Sequence, residues 1–223
     1  TGKGVINKMK ISCMKGKLMQ GISNVSKAVS TKTTHPILSC IFIEAENGNI
    51  KLTANDMEIG IESYVEGTVI EEGKVAIEAK LLSDIVRKLP DSEIRMETNE
   101  DFKTTIKCEK SLFTIAGKSG EDFSSLPVVE KSKFITISQF TLREIINQTI
   151  FSISDSEYNN VMTGELFEVS NNRLRVVAID GHRIAIRNVE LKNESEDVKV
   201  IVPGKALSYI SKIVSGGVDD DVN

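Results

Sequence analysis

The chain has 223 residues, which is long enough for one large domain or for two domains of about 110 residues, each with its own core. Hydrophobic residues make up 40%, no run approaches the roughly 20 apolar residues of a membrane span and no signal peptide opens the chain, so we expect a cytoplasmic protein without membrane contacts. The three cysteines lack CxxC spacing and are accompanied by only two histidines, so we predict free thiols, no metal site and no cofactor.

The chain begins with a segment that fits no regular element. We expect residues 1–8 to be an extension outside the fold. A short strand follows, and then the pattern predicts a helix over residues 15–30. In that helix Leu18, Ile22 and Val25 recur at helical spacing and form one apolar stripe.

The rest of the first half predicts mainly antiparallel strands with one more helix. Short strands over residues 40–79 surround Asn47-Gly48, a dipeptide favoured in hairpin turns. A second helix covers residues 80–89, and three more strands end at residue 117. Turn-forming and charged residues predict a linker over residues 120–133.

The order of elements then repeats, which indicates a tandem duplication. Glu44 matches Glu168 and Asp56 matches Asp180 at the same offset of 124 positions. The helix that opens the second copy is predicted over residues 141–151. A repeat of about 124 residues that combines helices with antiparallel strands predicts an α+β fold built from two copies of one unit.

The repeat sets the expected domain boundaries. We predict one domain over residues 9–127 and a second over residues 128–223. The second copy stops after its second helix, where the first copy still has three strands, and a sheet cut there would have an unpaired edge. We therefore expect a piece of a longer protein, with an incomplete second domain and a third domain absent.

Positive charge is concentrated on the predicted helices, although the net charge of the chain is −4. In the second helix of the first copy, Lys80 and Arg87 lie opposite the apolar face, and Lys205 and Lys212 occupy the matching positions in the second copy. Such faces are either ordinary solvated surfaces or surfaces that face the phosphates of DNA without reading its sequence.

A second candidate site is the turn that follows the strand at residues 174–179. Asp180-Gly181 is a strong turn signal, and His182 and Arg183 come directly after it. The first copy keeps the Asp but has other residues at positions 57–59. The fold thus needs the Asp turn, whereas the Gly-His-Arg is a candidate for function.

Two functions outside DNA binding are compatible with this turn. Asp180 and His182 could form an acid/base pair in a hydrolase or transferase, but no Ser or Cys lies in a recognised nucleophile context, and the sequence has no P-loop. Alternatively, the chain is a duplicated α+β scaffold that binds proteins and does not encircle DNA.

The repeat and four motifs together resemble the bacterial DNA polymerase sliding clamp, the β subunit of the replicative polymerase. The motifs are THPILS, AGKSGEDFSSLP, IDGHRI and VIVPGKAL, at residues 34–39, 116–127, 179–184 and 200–207. The resemblance implies a DNA-clamp fold and a non-enzymatic processivity factor that encircles double-stranded DNA. It also implies a homodimeric ring for the full-length protein.

The same resemblance implies a hydrophobic pocket for short peptide motifs of the replicative DNA polymerase, the clamp loader and repair proteins. The residues that match the second-domain wall of that pocket are Met162, Ile179, Gly181, His182, Arg183 and Ile184.

The resemblance assigns two further surfaces. The DNA-facing residues would be Lys32, Lys80, Arg87, Lys205 and Lys212. Phe113 and Ile115 match apolar positions of the contact between protomers, and plain core is an equally good interpretation of these two residues.

Overall fold

The structure is a computed structural model that describes residues 8–30, 33–121, 123–128, 134–155, 161–192, 195–214, 217 and 220–222. It divides into two compact units, unit 1 (Thr1–Pro127) and unit 2 (Val128–Asn223).

Unit 1 combines two helices with short antiparallel strands. In chain order its elements are β1 (Met9–Met14), α1 (Lys15–Val25), β2 (Cys40–Glu46), β3 (Asn49–Asn55), β4 (Gly60–Val65), β5 (Gly67–Glu71), β6 (Gly73–Glu78), α2 (Ala79–Lys88), β7 (Glu93–Thr98), β8 (Lys103–Cys108) and β9 (Ser111–Ala116).

The strands of unit 1 form two antiparallel sheets, one in the order β5-β1-β7-β8-β9 and one in the order β4-β3-β2-β6. The main core cluster of unit 1 takes apolar side chains from both sheets and both helices. In β7, Ile94, Met96 and Thr98 are buried while the residues between them are exposed. This period of two is expected for a strand with one face on a core and the other in solvent.

Unit 2 has the elements β10 (Ile137–Ser138), α3 (Gln139–Thr149), β11 (Gly164–Ser170), β12 (Arg173–Ile179), β13 (Ile184–Glu190), β14 (Val198–Pro203), α4 (Gly204–Ile213) and β15 (Asp221–Val222). Its main sheet has the order β13-β12-β11-β14, which is the order of the β4-β3-β2-β6 sheet of unit 1. The pairing of Glu44 with Lys51 recurs as Glu168 with Arg175. The predicted tandem duplication and α+β fold are therefore confirmed.

The helix ends differ from the sequence-based expectations. The first helix was predicted to continue to residue 30, but α1 ends at Val25 and a 3₁₀ turn (Ser26–Ala28) follows. The Ser26 hydroxyl donates to the Ile22 carbonyl at 2.6 Å, a local bond that competes with further helical hydrogen bonds. The next helix, α3, begins two residues earlier than predicted because the Ser138 hydroxyl caps it by accepting from the Thr141 N–H.

Two segments of unit 1 are more ordered than the sequence predicted. Strand β5 was not predicted, yet it pairs with β1 along the edge of the larger sheet. Part of the predicted linker packs on the fold, because Phe123 is buried and stacks on Phe42 with 4.9 Å between ring centroids. Residues 122 and 129–133 of that linker lie outside the described residues.

The core of unit 2 is smaller in the described residues than the core of unit 1. Val200 on β14 is 48% exposed, whereas the matching Val75 on β6 is fully buried. In unit 1 the five-stranded sheet contributes to the core, while the second sheet of unit 2 is the pair β10-β15. Val214 follows the end of α4 and is half-buried.

Candidate functional site

The turn between β12 and β13 is built around one carboxylate. Oδ1 of Asp180 accepts hydrogen bonds from the backbone N–H groups of His182 at 2.9 Å and Arg183 at 3.0 Å. Gly181, which lies between Asp180 and His182, has φ +89°, a left-handed conformation that residues with a side chain rarely adopt. The predicted Asp-Gly turn is confirmed, and it fixes the direction in which His182 and Arg183 leave the sheet.

The side chain of Arg183 closes the turn. Its Nε donates to Oδ2 of Asp180 at 2.7 Å, and its guanidinium carbon lies 6.0 Å from the centre of the Phe151 ring. The backbone N–H of His182, with further help from Arg183, lowers the pKa of Asp180 below its ordinary value. Because the carboxylate oxygens of Asp180 bind these groups, they do not orient the His182 imidazole as an acid/base pair would require.

Apolar side chains flank the turn. Ile179 and Ile184 form the last cross-strand pair of β12 and β13, and they are 40% and 57% exposed. Ile186 lies two residues further along β13, on the same face, and is also exposed. The turn and these three isoleucines together make an apolar surface edged by a histidine and an arginine.

Met162 belongs to the same end of the sheet. Met162 lies in a turn at residues 161–163 that directly precedes β11, and β11 runs antiparallel to β12, so Met162 lies at the end of the sheet where β12 ends. The Met162 carbonyl accepts from the Ser154 N–H at 2.8 Å, and its side chain is half-buried. The six residues predicted for the pocket wall therefore lie at one end of one sheet.

Sequence reasoning missed Phe151 in this site. The residue follows α3 in a 3₁₀ turn (Ile150–Ser152), and its ring is 58% exposed beside Arg183. An aromatic side chain just beyond the predicted helical stripe is the one signal that the sequence offered.

The matching turn in unit 1 has the same backbone but a different surface. Oδ1 of Asp56 accepts from the N–H groups of Glu58 and Ile59 at 3.1 and 2.8 Å. The position of Ile184 is held by Gly60, where an added Cβ would lie 2.1 Å from a methyl carbon of Leu126. In unit 1 the chain's own Leu126 thus fills the space at this position, whereas in unit 2 the matching Ile184 is exposed.

The basic helix faces are present in both units. Lys80 and Arg87 are exposed on α2, opposite its buried side chains, and Lys205 and Lys212 are exposed at the matching places on α4. Arg87 also pairs with Asp84 at 3.2 Å, which reduces its local charge. Lys32, the fifth residue predicted to face DNA, lies outside the described residues.

The two residues predicted for a contact between protomers have different environments. Phe113 on β9 is 40% exposed, but Ile115 is buried and belongs to the core of unit 1. Burial favours the plain-core interpretation of Ile115, because its side chain packs inward, on the face that meets the core. Leu112 is 65% exposed on the opposite face of the same edge strand, and sequence reasoning did not single it out.

Two depressions in unit 2 have a different chemistry. One of about 520 Å³ is lined by Ser170, Asn171, Asn172, Arg173, Glu190 and Leu191, and a second of about 440 Å³ adjoins it on the sheet face. Both have mainly polar and charged linings, and the second reaches Ile186 of the isoleucine surface. An apolar ligand requires an apolar lining, so the turn with its isoleucines is the better candidate site.

Several other features bear on the class of protein. Within the described ranges, no three His, Cys, Asp or Glu side chains cluster as metal ligands would, and the three cysteines are free and buried. Burial raises the pKa of Cys13 to about 11, which keeps that thiol protonated. No helix in the part of the chain that the structure describes combines the length and apolar character of a membrane span.

Comparison with models of known protein families shows which family the chain belongs to. The family model for the N-terminal domain of the DNA polymerase III beta subunit matches residues 9–127, and the model for the central domain matches residues 136–222. The chain belongs to the DNA polymerase III beta subunit family, the bacterial sliding clamps.

Individual clamps agree with this assignment. The beta sliding clamp of Halalkalibacterium halodurans is 37% identical over 207 residues, which cover 88% of this chain and 54% of the relative. A structure assigned as a DNA polymerase III beta subunit from Eubacterium rectale is 56% identical, with a TM-score of 0.92 over 96% of this chain and 59% of that one.

A third comparison is the sliding clamp of Pseudomonas aeruginosa, solved with griselimycin bound. It is 28% identical, with a TM-score of 0.87 over 96% of this chain and 58% of that one. The chain thus spans little more than half the length of the clamps it matches.

Proposed function

We propose that the protein acts as a DNA sliding clamp, a processivity factor that encircles duplex DNA and tethers the replicative DNA polymerase. The observation that carries this proposal is the repetition of exposed cations. Lys80 and Arg87 on α2 recur as Lys205 and Lys212 on α4, at the same places of the same helix in each unit. A basic helix face that occurs in both units suits a protein that contacts a regular phosphate backbone at more than one place.

The chemistry of these faces fits a clamp that slides. Lysine is a flexible point charge that attracts phosphate without the rigid bidentate geometry with which arginine reads bases. Contacts of this kind are independent of sequence and weaken with salt. In this function the protein supplies a topological link and has no chemistry of its own, and the polymerase gains a high effective concentration at the primer end.

The proposed attachment point is the surface formed by Met162, Ile179, the turn at residues 181–183 and Ile184. Exposed isoleucines beside a braced turn suit the apolar side chains of a short linear motif. Partners would be the replicative DNA polymerase, the clamp loader and repair proteins. The griselimycin complex of the Pseudomonas aeruginosa clamp supports a ligand site in the family.

The proposed ring is a homodimer of the full-length protein. In unit 1 the edge strand β9, with Phe113 and Leu112 exposed, is the surface we assign to the contact between protomers. An unpaired strand edge with exposed apolar side chains is a ready template for pairing with another chain.

The proposal is tested by reversing charge on the helices of the full-length protein. Replacement of Lys80, Arg87, Lys205 and Lys212 by Glu should abolish loading onto primed circular DNA and polymerase processivity, while polymerase binding to the clamp in the absence of DNA persists. The matched control reverses the same number of exposed strand and loop cations, Arg95, Lys103, Lys192 and Lys199, and should load normally. Normal loading by the helix variant would instead favour a scaffold that does not encircle DNA.

A further inference from the structure

The interior of unit 2 contains a polar cluster at a place where unit 1 is apolar. Thr149, Ser152 and Glu165 are all fully buried. At the offset of 124, the matching residues of unit 1 are Val25, Ala28 and Ile41, which are also fully buried. The repeat thus allows a comparison within the chain. Because unit 1 forms the same fold with three apolar residues, the fold of unit 2 does not require the three polar residues.

The hydroxyl of Thr149 is shared between two acceptors, one of which is the carboxyl of Glu165. Oγ1 of Thr149 lies 2.7 Å from the Ile145 carbonyl and 2.9 Å from Oε2 of Glu165. A hydroxyl has a single hydrogen, and the Ile145 carbonyl can only accept. Thr149 therefore cannot donate to the Ile145 carbonyl and to a Glu165 carboxylate at the same time, so an ionised Glu165 receives at most one shared hydrogen bond from this hydroxyl.

The remaining polar atoms of the cluster make ionisation costly. Oε1 of Glu165 and the hydroxyl of Ser152 have no hydrogen-bond partner within the described residues. A buried carboxylate without donors is strongly disfavoured relative to the neutral acid. Burial accordingly raises the pKa of Glu165 to about 7, against an opposing effect of the hydrogen bond with Thr149.

Charged groups on the surrounding elements do not explain this shift. Those elements carry the following charged residues: Arg143 and Glu144 on α3, Glu168 on β11, Arg173 and Arg175 on β12, Asp180 and Arg183 in the turn, Arg187 and Glu190 on β13, Lys199 on β14, and Lys205 and Lys212 on α4. Burial and Thr149 are the causes of the shift, with no contribution from these charges. The carboxyl therefore responds to pH through its own desolvation.

The cluster lies directly under the proposed pocket wall. The 3₁₀ turn (Ile150–Ser152) follows α3 at Thr149, with Ser152 buried on its inner side. On its outer side Phe151 faces the guanidinium of Arg183, which is bonded to Asp180. One short turn thus connects the buried carboxyl to the surface at which partners are proposed to bind.

We propose that Glu165 is a positioning residue that makes the pocket wall sensitive to pH. With a neutral carboxyl, the cluster stays dry and Phe151 stays beside Arg183. Ionisation draws water to the carboxylate and displaces the turn that carries Phe151. The meaning of this displacement for partners rests on the proposed function, but the displacement itself does not.

The test follows the turn without any DNA or peptide. The chain has no tryptophan, so Phe151→Trp introduces a single fluorophore at the turn. His182→Asn is added to every variant so that no histidine lies in the turn. Between about pH 5 and about pH 9, acrylamide quenching of Trp fluorescence should increase with a midpoint near the pKa of Glu165, and Glu165→Gln should remove the increase.

The control is Glu168→Gln, a carboxylate on the same strand that pairs with Lys199 at 3.3 Å, and it should retain the full increase. Persistence of the increase in Glu165→Gln, or its absence from the starting variant while the far-UV spectrum remains native, would overturn the proposal. If Glu165→Gln does not fold, the double variant Thr149→Val/Glu165→Ile restores the apolar chemistry of unit 1 and should give a flat profile. Failure of clamp loading would leave these results unchanged, so the two proposals can fail separately.

Discussion

At the scale of single residues, burial decides what a titratable side chain does. Asp180 is held ionised because backbone N–H groups and Arg183 surround it. Within the described residues the Glu165 carboxyl has one polar contact, with Thr149, and burial raises its pKa to about 7. A carboxyl group therefore stabilises a surface turn at Asp180, whereas at Glu165 it makes a buried contact that depends on its protonation.

The Glu165 carboxyl should make stability depend on pH. Its folded-state pKa of about 7 is above its ordinary value of 4.5, so the folded state binds the proton more tightly. The stabilisation is complete below about pH 4.5 and is lost as pH rises through about 7. We expect the difference in the free energy of unfolding between Glu165→Gln and the natural chain, measured with denaturant, to grow by about 3 kcal/mol in favour of the variant across that interval and then to level off. A constant difference at all pH values would contradict this linkage.

Sequence alone predicted the residues of the turn but not what lies beneath it. His182 and Arg183 stood out because the repeat keeps the turn and changes these residues, whereas Ile179 and Ile184 were implied by the resemblance to the clamps. Phe151 and Glu165 did not, since their roles depend on contacts with residues distant in the chain. Ile115 was ambiguous for a related reason: alternation along a strand does not tell which face a core covers.

At the scale of elements, amphipathic helices explain both the core and the basic faces. Leu82, Ile85 and Val86 of α2 are buried at helical spacing, and the opposite face carries Lys80 and Arg87. One sequence pattern therefore places apolar side chains in the core and cations in solvent. This is why α2 and α4 were predicted well, whereas ends set by Ser26 and Ser138 side chains were not.

Two adjacent leucines in α2 distinguish the effect of core packing on stability from the effect of helix propensity. Leu82 is fully buried and Leu81 is 40% exposed, so both substitutions by Ala keep helix propensity but only one opens a cavity. Leu82→Ala should reduce the free energy of unfolding of unit 1 by about 2 to 5 kcal/mol. Leu81→Ala should change it by less than about 1 kcal/mol. Equal effects in urea unfolding would mean that α2 does not pack as described.

At the scale of the whole molecule, the duplication gives each unit its own core. The buried cluster of unit 1 takes side chains from two sheets, while that of unit 2 includes fewer strands and leaves Val198 and Val200 exposed. Stability grows with the apolar area that a unit buries, so the two units should differ in stability. The sequence predicted the duplication, but the difference between the cores emerges only from burial of matching positions such as Val75 and Val200.

Thermal unfolding of the chain should therefore show two transitions, with unit 2 unfolding first. Ile146 is fully buried in the core of unit 2, and Leu82 is fully buried in the core of unit 1. In scanning calorimetry Ile146→Ala should lower the first transition by several degrees and leave the second in place, and Leu82→Ala should do the reverse. If both variants shift one common transition, the cores unfold as a single cooperative unit. Two transitions that respond separately would show that each repeat is stabilised by its own buried side chains, because each substitution removes contacts from one cluster alone.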